Sequence, residues 1–311
     1  MAANPLSLAT IRRRLRTVIV IPVTPFAADG SADFDLYARL VARMVDSGIG
    51  VVTPNGNTGE FYSLTADEQR RELEATAEAV GDRALILAGV GFDAQSAAQA
   101  ARHAAAHGAQ AVMVHQPVHP YKSDEGWLAY HRAIAEAVPE LGIVPYLRDA
   151  TLKPSTLARL ADLCPNFVGI KYAVANPLQF ASTVHEVGAE RLTWVCGLAE
   201  SWAPFFWPGG ASGFTSGLVN LTTAHSLGMQ AALERGDTAR AMQHWAAVRA
   251  FEDLRARHHN GNNVSVVKEA MAQMGLCRAA VRPPITEVTE AEQGEVAQVL
   301  AALGLAEMVK Q

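Results

Sequence analysis

Charge is sparse in this sequence, and no part of it is strongly basic. Only 18% of the 311 residues are charged, the formal net charge is −5, and the longest basic cluster is "RRRLR" at residues 12–16. A mildly acidic chain without a basic stripe gives no reason to expect a nucleic-acid partner. The apolar run after "RRRLR" contains two prolines and no small-residue cleavage pattern. We therefore interpret this cluster as a helix end before a buried strand, not as a targeting peptide.

Cysteines are few, and long hydrophobic runs are absent. The three cysteines, Cys164, Cys196 and Cys277, lie far apart without CxxC spacing. Such a sparse, odd set is typical of reduced thiols, which predicts a cytoplasmic location. No apolar run reaches the roughly 18 residues that a membrane span requires, so we expect no membrane partner. Half of the residues are nevertheless hydrophobic, which is ample for a large core.

One pattern is repeated eight times along the chain: a short apolar run followed by an amphipathic segment. "TVIVIPVTPF" followed by "DFDLYARLVARMVDSG" is the first unit, and "ASGFTSG" followed by "TTAHSLGMQAALERG" is the last. Continuous apolar runs are typical of strands buried on both faces, and strand–helix alternation favours parallel pairing. Eight units predict an α/β fold, a closed (β/α)8 TIM barrel. An open doubly wound sheet is the alternative, but its early GxGxxG motif is missing.

The pattern changes near Asp237, where three helical segments follow without strands between them. We therefore predict a (β/α)8 barrel over residues 1–235. Residues 236–311 are predicted to form a C-terminal helical extension packed on the barrel, not an independent domain.

Barrels of this type carry their reactive groups at the C-terminal ends of the strands. This rule selects a short set of polar or small residues after the second and the fourth to eighth strands. They are Asn55–Glu60, His115, Gln116, His119, Tyr146, Arg148, Asp149, Lys171, Tyr172, Cys196, Gly197, Thr215 and Ser216.

Lys171 stands out because no other charged residue lies within "FVGIKYAV". A lysine in an apolar barrel strand points either inward or out to the helix layer, and both positions are unfavourable for an ammonium. Burial lowers the pKa of a lysine, so a neutral amine becomes available to condense with a ketone. The alternative is a strand-end lysine whose ammonium extends to water.

Tyr146 and Arg148 follow the fifth strand and have both functional and structural interpretations. Tyr146 is placed to relay protons near Lys171, or it is a core tyrosine bonded to the backbone. Arg148 is placed to bind a second substrate carboxylate, or it forms a surface ion pair with Asp149.

A metal site is the alternative for two histidines after the fourth strand. His115 and His119 have i, i+4 spacing, but Pro117 opposes a shared helical face, and no Cys or HExxH pattern supports the site. We expect no metal.

The combined motifs resemble the dihydrodipicolinate synthase and N-acetylneuraminate lyase family of Schiff-base aldolases. "VTPF", "GNTGEFYSLTADE", "LAGVG", "GIVPY", "GIKY" and "GASGFTSGLVN" carry the resemblance over nearly the whole chain. It implies a (β/α)8 lyase acting on a small 2-oxo acid without a cofactor, and a homotetramer built from dimers.

The resemblance also implies roles for individual residues. Lys171 matches the Schiff-base lysine, and Tyr146 matches the tyrosine that moves protons around it. Thr58 and the backbone amides at Gly56 and Asn57 match the loop that binds the carboxylate beside the ketone. Further matched positions line the pocket: Gly197, Thr215 and Ser216.

Several departures separate the chain from synthases that condense pyruvate with aspartate semialdehyde. Asn57 stands in place of the first threonine of the loop, His119 in place of a tyrosine after the fourth strand, and Arg148 in place of a later arginine. "YLRDA" is closer to the 5-dehydro-4-deoxyglucarate dehydratase branch, although Leu147 and Asn57 depart from it too. We therefore expect dehydration and decarboxylation of a keto-deoxy sugar acid. The alternatives are a 2-keto-3-deoxy sugar-acid aldolase, a synthase-like pyruvate condensation, and a barrel that binds a keto acid without turning it over.

Overall fold

A computed structural model of the protein describes residues 6–306. Eight parallel strands follow one another in sequence order and close into a barrel. Closure is visible in two backbone hydrogen bonds: the Phe214 N–H donates to the Thr17 carbonyl, and the Ile21 N–H donates to the Ser216 carbonyl. The predicted (β/α)8 barrel is confirmed, and the open sheet is excluded.

The strands are short, and every one of their residues is buried. This burial explains the continuous apolar runs of the sequence. Their bounds are β1 Val18–Val20, β2 Val51–Val52, β3 Leu85–Val90, β4 Ala111–Val114, β5 Gly142–Leu147, β6 Gly169–Tyr172, β7 Thr193–Cys196 and β8 Gly213–Ser216.

Helices alternate with the strands, and most begin at a side-chain cap. Thr65, for example, forms a capping box with Glu68 at the start of α3. The helices are α1 Leu8–Arg14, α2 Phe34–Asp46, α3 Ala66–Val80, α4 Ala94–Ala106, α5 Asp124–Ala137, α6 Pro154–Leu163, α7 Pro177–Val187, α8 Ala199–Phe206, α9 Ala224–Glu234, α10 Thr238–Asn260, α11 Ser265–Gln273 and α12 Glu290–Ala302. No helix within residues 6–306 is long and apolar enough to cross a membrane.

Contacts group the chain into two compact units. The first contains residues 6–19, 50–53 and 82–215. Its core is the apolar cluster inside the barrel, to which α1 contributes Ile11, the residues next to α1 and β6 contribute Leu15 and Val168, and the strands contribute the rest. The cluster consists of Ile11, Leu15, Ile19, Val51, Leu85, Leu87, Ala111, Met113, Val144, Tyr146, Val168 and Val195.

The second unit contains residues 20–49, 54–81 and 216–306. Within it α2 packs on α3, α9 packs on α10, and α11 packs on α12. The three predicted C-terminal helices are present as α10, α11 and α12. The domain division at residue 235 stays a prediction, and its outer ends, 1–5 and 307–311, lie outside the described residues.

Candidate active site

Lys171 lies on β6 with its side chain toward the barrel interior. It is in register with Tyr146 on β5 and with Val195 on β7, and both of these belong to the interior cluster. Residues in register on neighbouring parallel strands face the same side of the sheet. Lys171 is only 3% exposed. Of the two orientations left open by the sequence, the inward one is therefore present, and the ammonium does not extend to water.

The surroundings of Lys171 favour a neutral amine. Burial, and secondarily the nearby charge of Arg148, lower the pKa of Lys171 to about 7. In the part of the chain that the structure describes, Lys171 forms no ion pair that would oppose this effect. The Cys196 thiol beside it stays neutral, because burial raises its pKa to about 12. A substantial fraction of Lys171 is thus unprotonated near neutral pH, as a nucleophile requires.

Tyr146 presents its ring to the Lys171 amine. The Lys171 Nζ lies 4.2 Å from the centroid of the Tyr146 ring, and Tyr146 is 7% exposed. The ring of His115 meets Tyr146 edge-on, with the centroids 6.2 Å apart. An aromatic face stabilises a cation above it, so the same contact also suits a protonated imine at this nitrogen.

Arg148 follows Tyr146 and is exposed. Its Cζ lies 6.0 Å from the centroid of the Tyr146 ring. The alternative interpretation, an ion pair with Asp149, is wrong, because Asp149 pairs with Lys122 at 2.9 Å. Within residues 6–306 the Arg148 guanidinium forms no ion pair, which leaves its bidentate face available to a ligand carboxylate.

Gly197 adjoins Lys171 at the end of β7. A Cβ on Gly197 would lie 2.9 Å from the Lys171 Cγ and 2.9 Å from the Ala173 Cβ. Any residue other than glycine at position 197 would therefore displace the Lys171 side chain from its present conformation. Thr215, another predicted pocket residue of this unit, is buried on β8.

The two histidines of the metal alternative have different environments. His115 is fully buried beside Tyr146. His119 is exposed, and its Nδ1 lies 2.7 Å from the Tyr121 carbonyl oxygen in the same loop. Among the described residues, neither histidine belongs to a group of three metal-ligating side chains. The contacts of His119 are local, and its predicted contact with substrate stays a prediction.

The predicted carboxylate loop belongs to the second unit. Asn57–Gly59 form a single 3-10 turn, and the Gly56 carbonyl accepts from the Gly59 N–H at 3.0 Å. Thr58 is 4% exposed. The Oδ1 of Asn57 is buried and has no hydrogen-bond partner in the described part of the chain. The residues on either side of the turn, Asn55 and Glu60, have φ values of 58° and 61°. The loop thus combines a tight backbone with an unsatisfied amide oxygen.

Glu60 binds the C-terminal segment of the second unit. Its Oε1 accepts from the Lys268 Nζ at 2.5 Å, and its Oε2 accepts from the Arg282 backbone N–H at 2.8 Å. Both side chains of the Glu60–Lys268 ion pair are fully buried. The partners of Glu60 thus lie on α11 and in the segment after it.

Ser216 was also predicted to bind substrate. Its Oγ accepts from the Val219 N–H at 3.1 Å and lies 3.3 Å from the Ser226 Oγ. The hydroxyl is thus engaged in local bonding, and its contact with substrate stays a prediction.

Sequence reasoning missed Lys268 and Glu72, although a signal was present for both. Lys268 lies in the apolar run "VSVVKEAM", much as Lys171 lies in "FVGIKYAV". Glu72 occupies the face of α3 that also carries Leu73, Thr76 and Val80, all of them buried. A charged residue on a buried helix face or in an apolar run marks either a reactive group or a buried polar network.

Comparison with known proteins agrees with this geometry. The family model described as the dihydrodipicolinate synthetase family matches residues 14–303. A protein of Bradyrhizobium sp. (strain ORS 278) named "Probable 5-dehydro-4-deoxyglucarate dehydratase" is 31% identical over 94% of each chain. A 4-hydroxy-tetrahydrodipicolinate synthase of Synechococcus sp. (strain CC9902) is 34% identical over 92% of this chain and 94% of its own.

A solved structure is similar over the same extent. The crystal structure of dihydrodipicolinate synthase from Bacillus clausii matches with a TM-score of 0.91 and 40% identity, over 94% of this chain and 99% of that one. Fold, sequence and relatives agree, so the chain belongs to the dihydrodipicolinate synthetase family and is a Schiff-base-forming lyase of that family.

Proposed function

We propose that this lyase dehydrates and decarboxylates a keto-deoxy sugar acid such as 5-dehydro-4-deoxyglucarate. The observation that carries the proposal is the environment of Lys171, whose buried amine has a pKa near 7 and no carboxylate partner among the described residues. An amine of this kind attacks the ketone beside the substrate carboxylate and forms an imine after loss of water.

The protonated imine acts as an electron sink for the next steps. It acidifies the neighbouring carbon, so loss of a proton gives an enamine that expels the hydroxyl group one carbon further along the chain. The conjugated imine formed in this way then accepts the electron pair of the carbon–carbon bond to the second carboxylate, which leaves as carbon dioxide. Tyr146 is the proposed proton relay for the carbinolamine and for the departing oxygen. The centroid of its ring lies 4.2 Å from the Lys171 Nζ. This proximity supports the role, and the ring also stabilises the cationic imine.

The remaining site residues are proposed to hold the two ends of the substrate. The carboxylate beside the ketone binds the backbone amides of Gly56 and Asn57 and the hydroxyl of Thr58. Arg148, which forms no ion pair within residues 6–306, binds the second carboxylate. The unsatisfied Asn57 Oδ1 accepts from a substrate hydroxyl. The proposed lining of the pocket also includes His119, Gly197, Thr215 and Ser216.

The names of the relatives favour this reaction and one alternative. The Bradyrhizobium relative is named a dehydratase, whereas the Synechococcus relative is named a synthase. Condensation of pyruvate with an aldehyde is therefore the second candidate, and aldol cleavage of a 2-keto-3-deoxy sugar acid uses the same enamine. Release of carbon dioxide from 5-dehydro-4-deoxyglucarate would select the first reaction, and consumption or formation of pyruvate would select the others.

Borohydride trapping tests the covalent step. Wild type incubated with a 2-oxo acid and borohydride should gain the mass of the reduced adduct, and Lys171→Ala should gain none. Lys153→Ala, which removes an exposed lysine, should label like wild type. Equal labelling of Lys171→Ala and wild type would refute the proposal. Ligand-induced thermal stabilisation without any product would instead favour the binding-only barrel.

The assembly proposed from the family resemblance is a homotetramer built from dimers, located in the cytoplasm and active without a cofactor. Light scattering of the purified protein measures its mass, and a monomer or dimer at assay concentration would contradict the tetramer. Turnover that is unchanged after dialysis against a chelator would support the absence of a metal requirement.

A further inference from the structure

Two buried side chains, Thr24 and Glu72, anchor the loop that precedes α3 through hydrogen bonds to its backbone. The Thr24 Oγ1 lies 2.7 Å from the Gly59 carbonyl oxygen and 2.5 Å from the Glu72 Oε2. The other carboxyl oxygen, Glu72 Oε1, accepts from the Asn55 N–H at 2.7 Å. Thr24 and Glu72 are both 0% exposed. The Glu72 carboxyl group is therefore bonded directly to Asn55 at one end of the loop and, through Thr24, to Gly59 at the other end.

The number of hydrogens available at Thr24 favours a protonated Glu72 carboxyl group. A threonine hydroxyl has a single hydrogen to donate, yet Thr24 makes short contacts with two oxygens. The Gly59 carbonyl has no hydrogen, so Thr24 must donate to it. The 2.5 Å contact with Glu72 is then a hydrogen bond only if the carboxyl group carries a proton and donates it to Thr24. In this arrangement the Glu72 carboxyl group donates to the Thr24 hydroxyl, and the Thr24 hydroxyl donates to the Gly59 carbonyl.

The groups around Glu72 agree with a neutral acid near neutral pH. Burial is the largest influence on Glu72 and raises its pKa to about 7; the hydrogen bonds that Thr24 and Asn55 donate to the ionised carboxylate oppose this rise. Two titratable groups face it from other helices, Tyr37 on α2 and Lys268 on α11. The Lys268 ammonium is already bonded to Glu60 at 2.5 Å.

The loop backbone has little freedom to adjust if this chain of bonds changes. A Cβ at Gly59 would lie 2.9 Å from the Pro22 carbonyl oxygen and 3.4 Å from the Glu72 Oε1, so the close approach requires glycine. Asn55 and Glu60, which flank the turn, both have positive φ. Non-glycine residues adopt this conformation only where surrounding contacts impose it. The loop conformation therefore depends on Glu72, Thr24 and Lys268.

We propose that Glu72 is a positioning residue, present as a neutral carboxylic acid, that fixes the backbone of the Gly56–Thr58 loop for binding the substrate carboxylate. This inference rests on the proposed function, because it takes that loop as the carboxylate site. When Glu72 releases its proton to solvent, Thr24 turns its hydrogen toward the new carboxylate. The Gly59 carbonyl then loses its donor, and the loop binds a 2-oxo acid more weakly.

The test compares wild type with Glu72→Gln, using pyruvate as the probe. The glutamine amide keeps both bonds, since its oxygen accepts from Asn55 and its NH₂ donates to Thr24, but it does not ionise. For each protein, the pyruvate concentration that gives half-maximal cyanoborohydride trapping is measured between pH 6 and pH 8. Lys171 titrates in both proteins, so its contribution cancels in their ratio.

The half-saturating concentrations should be similar at pH 6. At pH 8 wild type should require at least about fivefold more pyruvate than Glu72→Gln, the effect expected when a buried acceptor loses its donor. Glu78→Gln, which makes the same change at an exposed position of α3, should follow wild type at every pH.

Three outcomes separate the possibilities. Coincident wild-type and Glu72→Gln profiles from pH 6 to pH 8 would overturn the inference and leave the proposed function intact. A Glu72→Gln protein that fails to fold at pH 6 would also overturn it, because a neutral acid tolerates this replacement. Absence of Lys171-dependent trapping in wild type would instead mean that the proposed function has failed.

Discussion

Two buried lysines in this chain have opposite environments. Lys171 is 3% exposed, with its Nζ 4.2 Å from the centroid of the Tyr146 ring. Lys268 is 0% exposed, with its Nζ 3.9 Å from the centroid of the Phe26 ring. Lys268 bonds to the Glu60 carboxylate, whereas within residues 6–306 Lys171 forms no ion pair. Burial lowers the pKa of both amines, but at Lys268 the Glu60 charge opposes this effect.

The comparison shows that burial alone does not make a lysine a nucleophile. Lys268 gains a partner that keeps it charged and fixed, and so it serves the structure. Lys171 has an aromatic ring and a neighbouring guanidinium, and so it stays available for chemistry. The presence or absence of a carboxylate is the difference that matters, and four experiments test it.

The largest expected effect is on turnover, when each of the two lysines is replaced by arginine in a separate variant. Lys171→Arg should lower turnover by about 10⁴-fold or more, because a guanidinium stays protonated and cannot form the imine. Lys268→Arg keeps a positive charge for Glu60 and should still form the adduct with pyruvate. Steady-state rates and adduct masses measure the two results. Comparable activity of Lys171→Arg and wild type would remove the distinction between the lysines.

Methionine at position 268 should destabilise the protein strongly. Lys268→Met leaves the Glu60 carboxylate buried without its partner, which typically costs about 3–5 kcal/mol of unfolding free energy. The double variant Glu60→Gln, Lys268→Met removes both charges and should recover part of that loss. Urea denaturation gives the three free energies. A single variant as stable as wild type would show that the ion pair contributes little.

Methionine at position 171 should change the free energy of unfolding in the opposite direction. Because the pKa of Lys171 in the folded protein, about 7, lies below its ordinary value of 10.5, the unfolded chain binds more protons between these pH values. Stability therefore rises with pH across that window, and below it the folded protein retains the full cost of a buried ammonium. Lys171→Met removes this cost and should stabilise the protein at pH 6 by on the order of 2 kcal/mol. A lower melting temperature than wild type at pH 6 would contradict this sign.

The smallest effect is the pH dependence of imine formation. Below a midpoint near pH 7, the rate should fall about tenfold for each pH unit, as the Lys171 amine becomes protonated. The measurement is best made in Glu72→Gln, since Glu72 has a pKa close to the same value. A midpoint near that of an ordinary lysine would show that the buried site does not perturb the amine.

Much of the fold follows from the sequence because the strands are buried on both faces. Runs such as "ALILAGVG" and "LGIVPYLRD" coincide with β3 and β5, and the helices after them match their periodic segments. Strand register is a different matter. It brings Tyr146 beside Lys171, and it depends on pairings that no local pattern encodes.

The candidate site was partly predictable for the same reason. Lys171, Tyr146 and Arg148 lie at strand ends, where the barrel rule directs attention. The hydrogen-bond partners of Glu72 are residues 24 and 55, and those of Glu60 are residues 268 and 282, most of them far away along the chain. Their sequence signal, a charged residue on an apolar face, indicates that a partner exists without identifying it.

The support behind the Asn55–Glu60 turn has a consequence for how new specificities arise. Since Thr24 and Glu72 hold its main chain and Lys268 holds the Glu60 side chain, the side chain at position 57 can vary without rebuilding the scaffold. A single substitution at position 57 is then a short evolutionary step from one substrate to another. Conversely, the hexapeptide grafted alone into another barrel would arrive without the anchors that give it its shape. For engineering, the transferable module is the turn together with its three distant supports.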